Sequence, residues 1–492
     1  MRSRERRPPE GATATTPEQK RTDDARAQRA RHAESAAPPF TPRGWRALDP
    51  VARGLMSARF LRSLAQGALV VDFVLYLKAL GWSAAAIGGL VGASGVVGAA
   101  LLLAAGMLSD RFGRRPFLLG YQLANAIGAL AVVLSPKAWV LAVAAVLLGY
   151  GRGANGSAGP FAPVEQAWLA GSVTRDKRNQ TFSLNAAIGF VGMGVGTVIG
   201  SAVPLFARVW AGPAAYEPLF VLNLIVALLS TWVIARLSEP DRPRAGRDAD
   251  ARAAVPEVAG GGVGSSALRA AGPAAHGEAD AAAATGAAVS TAADRRTRRE
   301  RDVRGKENVA LVLLTAVNSV NALGVGLIGP LLPYWFAVRF GAGPEAIGAI
   351  YALSFFLTGI AAVVTGQMGE RVGMIRSIVG PRTAGTILLV AMPLMPAYGW
   401  AAGLYALRSI LNRGTAGARQ AFSMGLVRNE RRGLAGSLNA LSFRLPAAVG
   451  AAAAGWLMGL GLLDLPFFIA AGLQFGYAAL FGTVLRPYEH GT

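Results

Sequence analysis

Four charged side chains stand inside long apolar runs of this chain: Asp72, Arg152, Arg413 and Arg444. A charge at the centre of a bilayer helix costs about 2.5–3.5 kcal/mol on insertion scales, so each needs a reason. A carboxyl group in such a place can carry a proton, and an arginine that approaches it takes the proton off again. Asp72 is therefore the candidate for proton or cation coupling. A static Asp72–Arg152 ion pair between two helices is the competing explanation. The surplus of arginines points to an anionic substrate, against which stand bonds to backbone carbonyls and snorkelling. Glu165 and Arg419 fall near the ends of their runs and are expected to be wet.

Asn318 and Asn321 are three residues apart and share one helix face. Buried amides cannot face lipid, so they line a substrate cavity or tie helices together. Tyr334, beside Trp335, is either a further cavity residue or, with Trp335, part of an interfacial belt. Other chemistry is excluded. The chain has no cysteine, and its three histidines, His32, His276 and His490, fall in tails or a linker. No catalytic group, metal site or cofactor site follows from such a set.

These residues are carried by a chain of 492 residues that is 53% hydrophobic and 16% charged. That balance is the mark of a polytopic membrane protein. Twelve apolar runs are long enough to span, counted here as spans 1 to 12. The first six cover roughly 59–79, 84–107, 116–135, 138–160, 180–203 and 217–237. The second six cover roughly 308–337, 344–366, 377–396, 399–421, 434–460 and 465–485. The expected organisation is a basic disordered tail over 1–55 and a six-helix bundle over 56–237. A disordered linker over 238–306, a second bundle over 307–487 and a short tail over 488–492 follow.

The net charge of +21 sits mostly in the tail, the linker and the short loops. It reads as topology rather than nucleic-acid binding. With the N-terminus inside, the cytoplasmic loops hold eleven Lys and Arg residues against four in the opposite loops. Both termini are then cytoplasmic.

One loop is duplicated. Gly106-Met107-Leu108-Ser109-Asp110-Arg111-Phe112-Gly113-Arg114-Arg115 lies between spans 2 and 3. Gly366-Gln367-Met368-Gly369-Glu370-Arg371-Val372-Gly373 follows 260 residues later, between spans 8 and 9. The register is kept by Gly81, Gly88 and Gly120 against Gly341, Gly348 and Gly380. Farther on the offset falls to 254, where Ser183-Leu184-Asn185-Ala186 matches Ser437-Leu438-Asn439-Ala440. A duplicated membrane protein with a charged hinge in each half suggests a transporter. Asp110 can accept charge-assisted bonds from arginines or cap a helix, and Gly106 and Gly113 allow a tight turn. The functional reading is a conformational latch made by Gly106, Asp110, Arg111, Gly113, Arg114 and Arg115, with Gly366, Glu370, Arg371 and Gly373 as its second copy. Plain topogenic charge is the alternative, and it does not explain the acid.

Six plus six spans, a long linker and the pattern G-x-L-x-D-R-x-G-R-R together resemble the major facilitator superfamily over about residues 55–487. Gly149-Tyr150-Gly151-Arg152-Gly153 in span 4 is similar to the family's Arg-Gly motif there. The resemblance implies an all-α membrane protein with twelve transmembrane helices in two pseudo-symmetric six-helix bundles. It also implies that spans 1, 4, 7 and 10 line a central cavity, so that Asp72, Arg152 and Arg413 would face it. Spans 2 with 11 and 5 with 8 would join the halves. Span 5 lacks the Gly-Pro pair of the family's antiporters.

The function so implied is secondary transport of a small organic molecule by alternating access. Proton-coupled efflux, by a monomer in an inner or plasma membrane, is the preferred form. Uptake or uncoupled passage of an organic anion is the alternative, and a non-transporting receptor on the same fold is the alternative of another class.

Overall fold

The computed structural model describes residues 45, 48–135, 137–151, 162–173, 178–239, 275–372, 374–415, 419, 422 and 432–488. Among the described residues there is helix and no strand. Ten helices are long and apolar enough to cross a membrane. Two shorter ones, Ala138–Leu148 and Tyr398–Gly414, stand at the fourth and tenth positions.

Local sequence sets where the helices begin. Asp49 accepts a 2.8 Å bond from the Val51 amide, with Pro50 at the first turn of span 1, and Ser83 caps span 2. Span 1 is interrupted at Val71 and resumes as Asp72–Ala79.

The helix pairs repeat from one half to the other. Spans 1 and 5, 1 and 6, 3 and 6, and 2 and 4 pack together, as do 7 and 11, 7 and 12, 9 and 12, and 8 and 10. Each half is thus built by the same set of neighbours. The halves meet through spans 2 and 11 and spans 5 and 8.

Small residues make these approaches possible. A Cβ on Gly88 of span 2 would lie 2.7 Å from the Ala451 carbonyl of span 11, and one on Gly348 of span 8 would lie 2.6 Å from Ser201 after span 5. Among the described residues, the close glycine contacts between halves run from Gly459 and Ala85 to Gly95 and Ala448, and from Gly348 and Ser201 to Gly359 and Phe190. They cover the end of the molecule away from Pro50, called the far end below. Without a hydrophobic drive between helices in lipid, backbone proximity of this kind supplies the packing energy. Large apolar side chains such as Ile127, Trp139, Trp232, Ile360 and Trp456 face outward, as a lipid-facing surface requires.

Three expectations need correction. Span 4 is not one helix over 138–160. It ends at Leu148, where Gly149 and Gly151 take φ of 85° and 73°, values open to glycine but strained for other residues. Residues 152–161 lie outside the described residues, and the next described helix is Ala162–Gly171. Second, the stretch expected to be a structureless linker contributes helix: span 7 belongs to one helix of 54 residues, Ala275–Ile328. Its first turns are rich in alanine, the strongest helix former, which outweighs the lack of an apolar face. Residues 240–274 lie outside the described residues. Third, Trp335 is not an interfacial belt residue. It is fully buried, stacks 4.4 Å from Phe467 and donates from Nε1 to Asp464 at 2.8 Å.

Candidate functional site

Spans 1, 3, 4 and 6 enclose a cavity of about 90 Å³, and Arg444 of span 11 reaches it from the other half. Its wall carries Gln66 on span 1, Gln122 and Asn125 one turn apart on span 3, and Asn223 on span 6. Amides at these depths can face neither lipid nor an apolar core at low cost, which is why they turn inward. The break at Gly149–Gly151 lies in the same wall and brings backbone and Tyr150 to the cavity. Tyr150 also donates to the Asn125 carbonyl at 3.3 Å.

At the end of the cavity nearer Pro50, Arg62 of span 1 forms an ion pair with Glu165 of span 4. Glu165 is only 2% exposed, so the expectation that it would be wet is wrong. The Arg62 guanidinium satisfies one carboxylate oxygen. The other oxygen is buried without a hydrogen-bond partner. Arg59, one turn earlier, is buried beside both residues. The cavity therefore mixes two cations and an acid with neutral amides. It can orient a polar ligand by hydrogen bonds and can exchange an internal ion pair for one with a ligand.

The candidates from the sequence fall in different places. Asp72 is buried to 1% exposure, and neither carboxylate oxygen has a hydrogen-bond partner. It begins the second piece of span 1 and presses on Gly200 at the far end of span 5, in contact range of its Oδ2. Arg152 lies outside the described residues. Arg413 packs inside the second half, its guanidinium 5.0 Å from the Phe355 ring centre, and donates to the Tyr405 hydroxyl at 3.2 Å. Of the four charges, only Arg444 is placed at this cavity among the described residues.

Asn318 donates to Asn439 of span 11 at 2.8 Å, and Asn321 accepts from Arg382 of span 9 at 2.8 Å. Both therefore tie helices together. Tyr334 is half-buried against an apolar cluster that runs through both halves.

In the duplicated loop, Gly106, Asp110 and Arg111 fall within the helix Ala84–Phe112, their side chains outside the described residues. Gly113 breaks that helix at φ 105°. Span 3 then starts at Arg114, and Glu239 beyond span 6 caps it, accepting from the amides of Arg114 and Arg115 at 3.1 Å each. Arg114 donates to the Ala167 carbonyl at 3.1 Å, and Arg115 donates to that of Ala235. The loop is thus bound to the ends of spans 4 and 6. The second copy, Gly366, Glu370 and Arg371, lies in the helix Pro344–Val372 with side chains outside the described residues, as is Gly373.

Sequence reasoning missed Arg59, Arg62, Arg382, Arg408 and Glu239. One signal was available for Arg382: it stands 260 residues after Gln122, in the register of the repeat.

Two repeated halves joined by glycine faces, the first holding a polar cavity that Arg444 of the second reaches, have the architecture of two-bundle carriers. Comparison with known proteins agrees. The family model of the Major Facilitator Superfamily matches residues 55–299 and 314–492, and the chain belongs to that superfamily. It is a multi-pass membrane transporter, not an enzyme.

The chain is 30% identical over 128 residues to the uncharacterized MFS-type transporter YhjO of Bacillus subtilis, covering 26% of this chain and 30% of that one. It is 29% identical over 175 residues to the multidrug resistance protein MdtH of Cronobacter sakazakii, covering 35% and 42%. Each match thus spans less than half of the relative's length. Among solved structures, a D-xylose–proton symporter superposes with a TM-score of 0.62 at 14% identity over 88% of this chain and 98% of that one. The nucleoside transporter NupG gives 0.59 at 11% identity over 88% and 98%. These likenesses are of fold.

Proposed function

We propose that this transporter exports a small organic molecule by alternating access in exchange for protons. It works as a monomer in an inner or plasma membrane, with both termini in the cytoplasm. One observation carries the reading. The halves press together at the far end through glycine faces, and the polar cavity extends toward the end at Pro50. In the orientation expected from the loop arginines, that arrangement turns the site toward the cytoplasm, which is the loading state of an exporter and also the release state of an importer. The partial likeness to proteins named for multidrug resistance supports the direction.

Asp72 is the proton carrier in this proposal. A carboxyl group buried without a partner beside the far-end seal gains or loses its proton as the seal closes or opens. The loop at Asp110, held to spans 4 and 6 by Arg114 and Arg115, acts as the latch of the inner side, with Glu370 and Arg371 as its counterpart.

A second reading has one observation in its favour. Arg62 and Arg444 both reach the cavity wall, and guanidinium donors there suit an organic anion. Uptake of such an anion would use the same cavity.

Everted and right-side-out vesicles holding the protein separate the two. With a panel of lipophilic cations, sugars and carboxylates, energised accumulation in everted vesicles is the expected result. Accumulation of an anion in right-side-out vesicles alone would replace export with uptake.

A further inference from the structure

The second half holds a buried polar cluster that the transport reading does not use. Arg382 of span 9 and Arg408 of span 10 are 4% and 9% exposed. Arg382 donates from one terminal nitrogen to Asn321 of span 7 and lies 5.5 Å from the Tyr477 ring centre of span 12. Arg408 donates to Gln474 of span 12 at 3.2 Å. Gln474 in turn lies against Gly324, one turn beyond Asn321 on span 7. The contacts close a ring through spans 7, 9 and 12, which Arg408 joins from span 10.

That ring has donors in excess. The Nε groups of Arg382 and Arg408, the free amide nitrogens of Asn321 and Gln474, and the Tyr477 hydroxyl are all buried without a partner. The unmatched acceptor beside them is Oδ1 of Asn412. Among the described residues, the charged neighbours of Arg382 are Arg419 and Arg408, that of Arg408 is Arg413, and no carboxylate acts on either. Buried donors in native proteins find acceptors, and buried cations find counter-charges. Water can satisfy an amide or a phenol, but it cannot neutralise two guanidinium groups at bilayer depth. The first half differs at this place: Gln122 stands where the repeat puts Arg382.

We propose that spans 7, 9, 10 and 12 enclose a site for one small anion, held by Arg382 and Arg408 with Asn321, Gln474 and Tyr477 as further donors. The ligand is a halide, an inorganic oxyanion or the carboxylate of an organic molecule. The site is distinct from the cavity of the first half and does not depend on the direction of transport.

The test is thermal unfolding of the purified full-length protein in nanodiscs of neutral lipid. Chloride, phosphate and acetate are titrated against the bulky sulfonate MES at constant ionic strength. A saturable rise of a few degrees is expected, because a ligand bound only by the folded state stabilises it. A rise with chloride or phosphate assigns the site to an inorganic anion; a rise with acetate alone assigns it to an organic carboxylate.

Asn321→Asp places a fixed negative charge beside Arg382. It should remove the anion response and raise the unfolding temperature in MES. Arg382→Gln, the residue of the first half, should also lose the response and guards against misfolding of the first variant. An unfolding temperature independent of all three anions overturns the proposal, as does a response that survives in both variants.

Discussion

Glu239, just beyond span 6, caps span 3 by accepting from the backbone amides of Arg114 and Arg115 at 3.1 Å each. The carboxylate thus sits at the positive end of the span 3 dipole, directly after the turn at Gly113. Removing it leaves two orphaned amides. Glu239→Ala is expected to cost about 1 kcal/mol of stability, the usual loss for a cap. Thermal unfolding in detergent checks this; an unchanged transition would mean that the cap contributes nothing.

The same loop contains the acid that topology does not explain. Asp110→Asn should leave expression and insertion normal while lowering transport by about tenfold or more, as loss of a charge-assisted contact in one conformational state does. Near-normal transport by a well-expressed variant would refute the latch.

The far-end seal is open to direct measurement because the chain lacks cysteine. Gly88 lies where any Cβ meets the Ala451 carbonyl at 2.7 Å. Gly88→Leu should therefore hold spans 2 and 11 apart and shift the population toward the outward-open state. A cysteine placed at Gln66 in the cavity wall should then react about tenfold faster with an impermeant thiol reagent added outside, equivalent to roughly 1.4 kcal/mol. An unchanged rate would show that the glycine face is packing only.

Much of this architecture was legible because it rests on periodic or repeated signals. The Asp110 loop and its copy at Glu370 fixed the duplication, and the family resemblance they carry implied which spans join the halves. Partners on different spans were not legible. Arg62 and Glu165 are separated by 103 residues, and nothing local to either announces the other. Arg382 and Arg408 lie in runs rich in small apolar residues, where one arginine barely lowers the hydropathy. Asn318 and Asn321 were correctly placed on an inward face, but a shared face does not say whether the neighbour is a cavity or an amide. The helix before span 7 escaped notice because alanine-rich sequence has high propensity and no amphipathic period.

The most direct test of the central claim is proton movement in proteoliposomes during a compound screen, with Asp72→Asn beside the wild type. The expected result is a compound that drives proton flux only while Asp72 is present. Transport of that compound without proton flux, undiminished in Asp72→Asn, would contradict coupled export and leave Asp72 as a structural residue against Gly200.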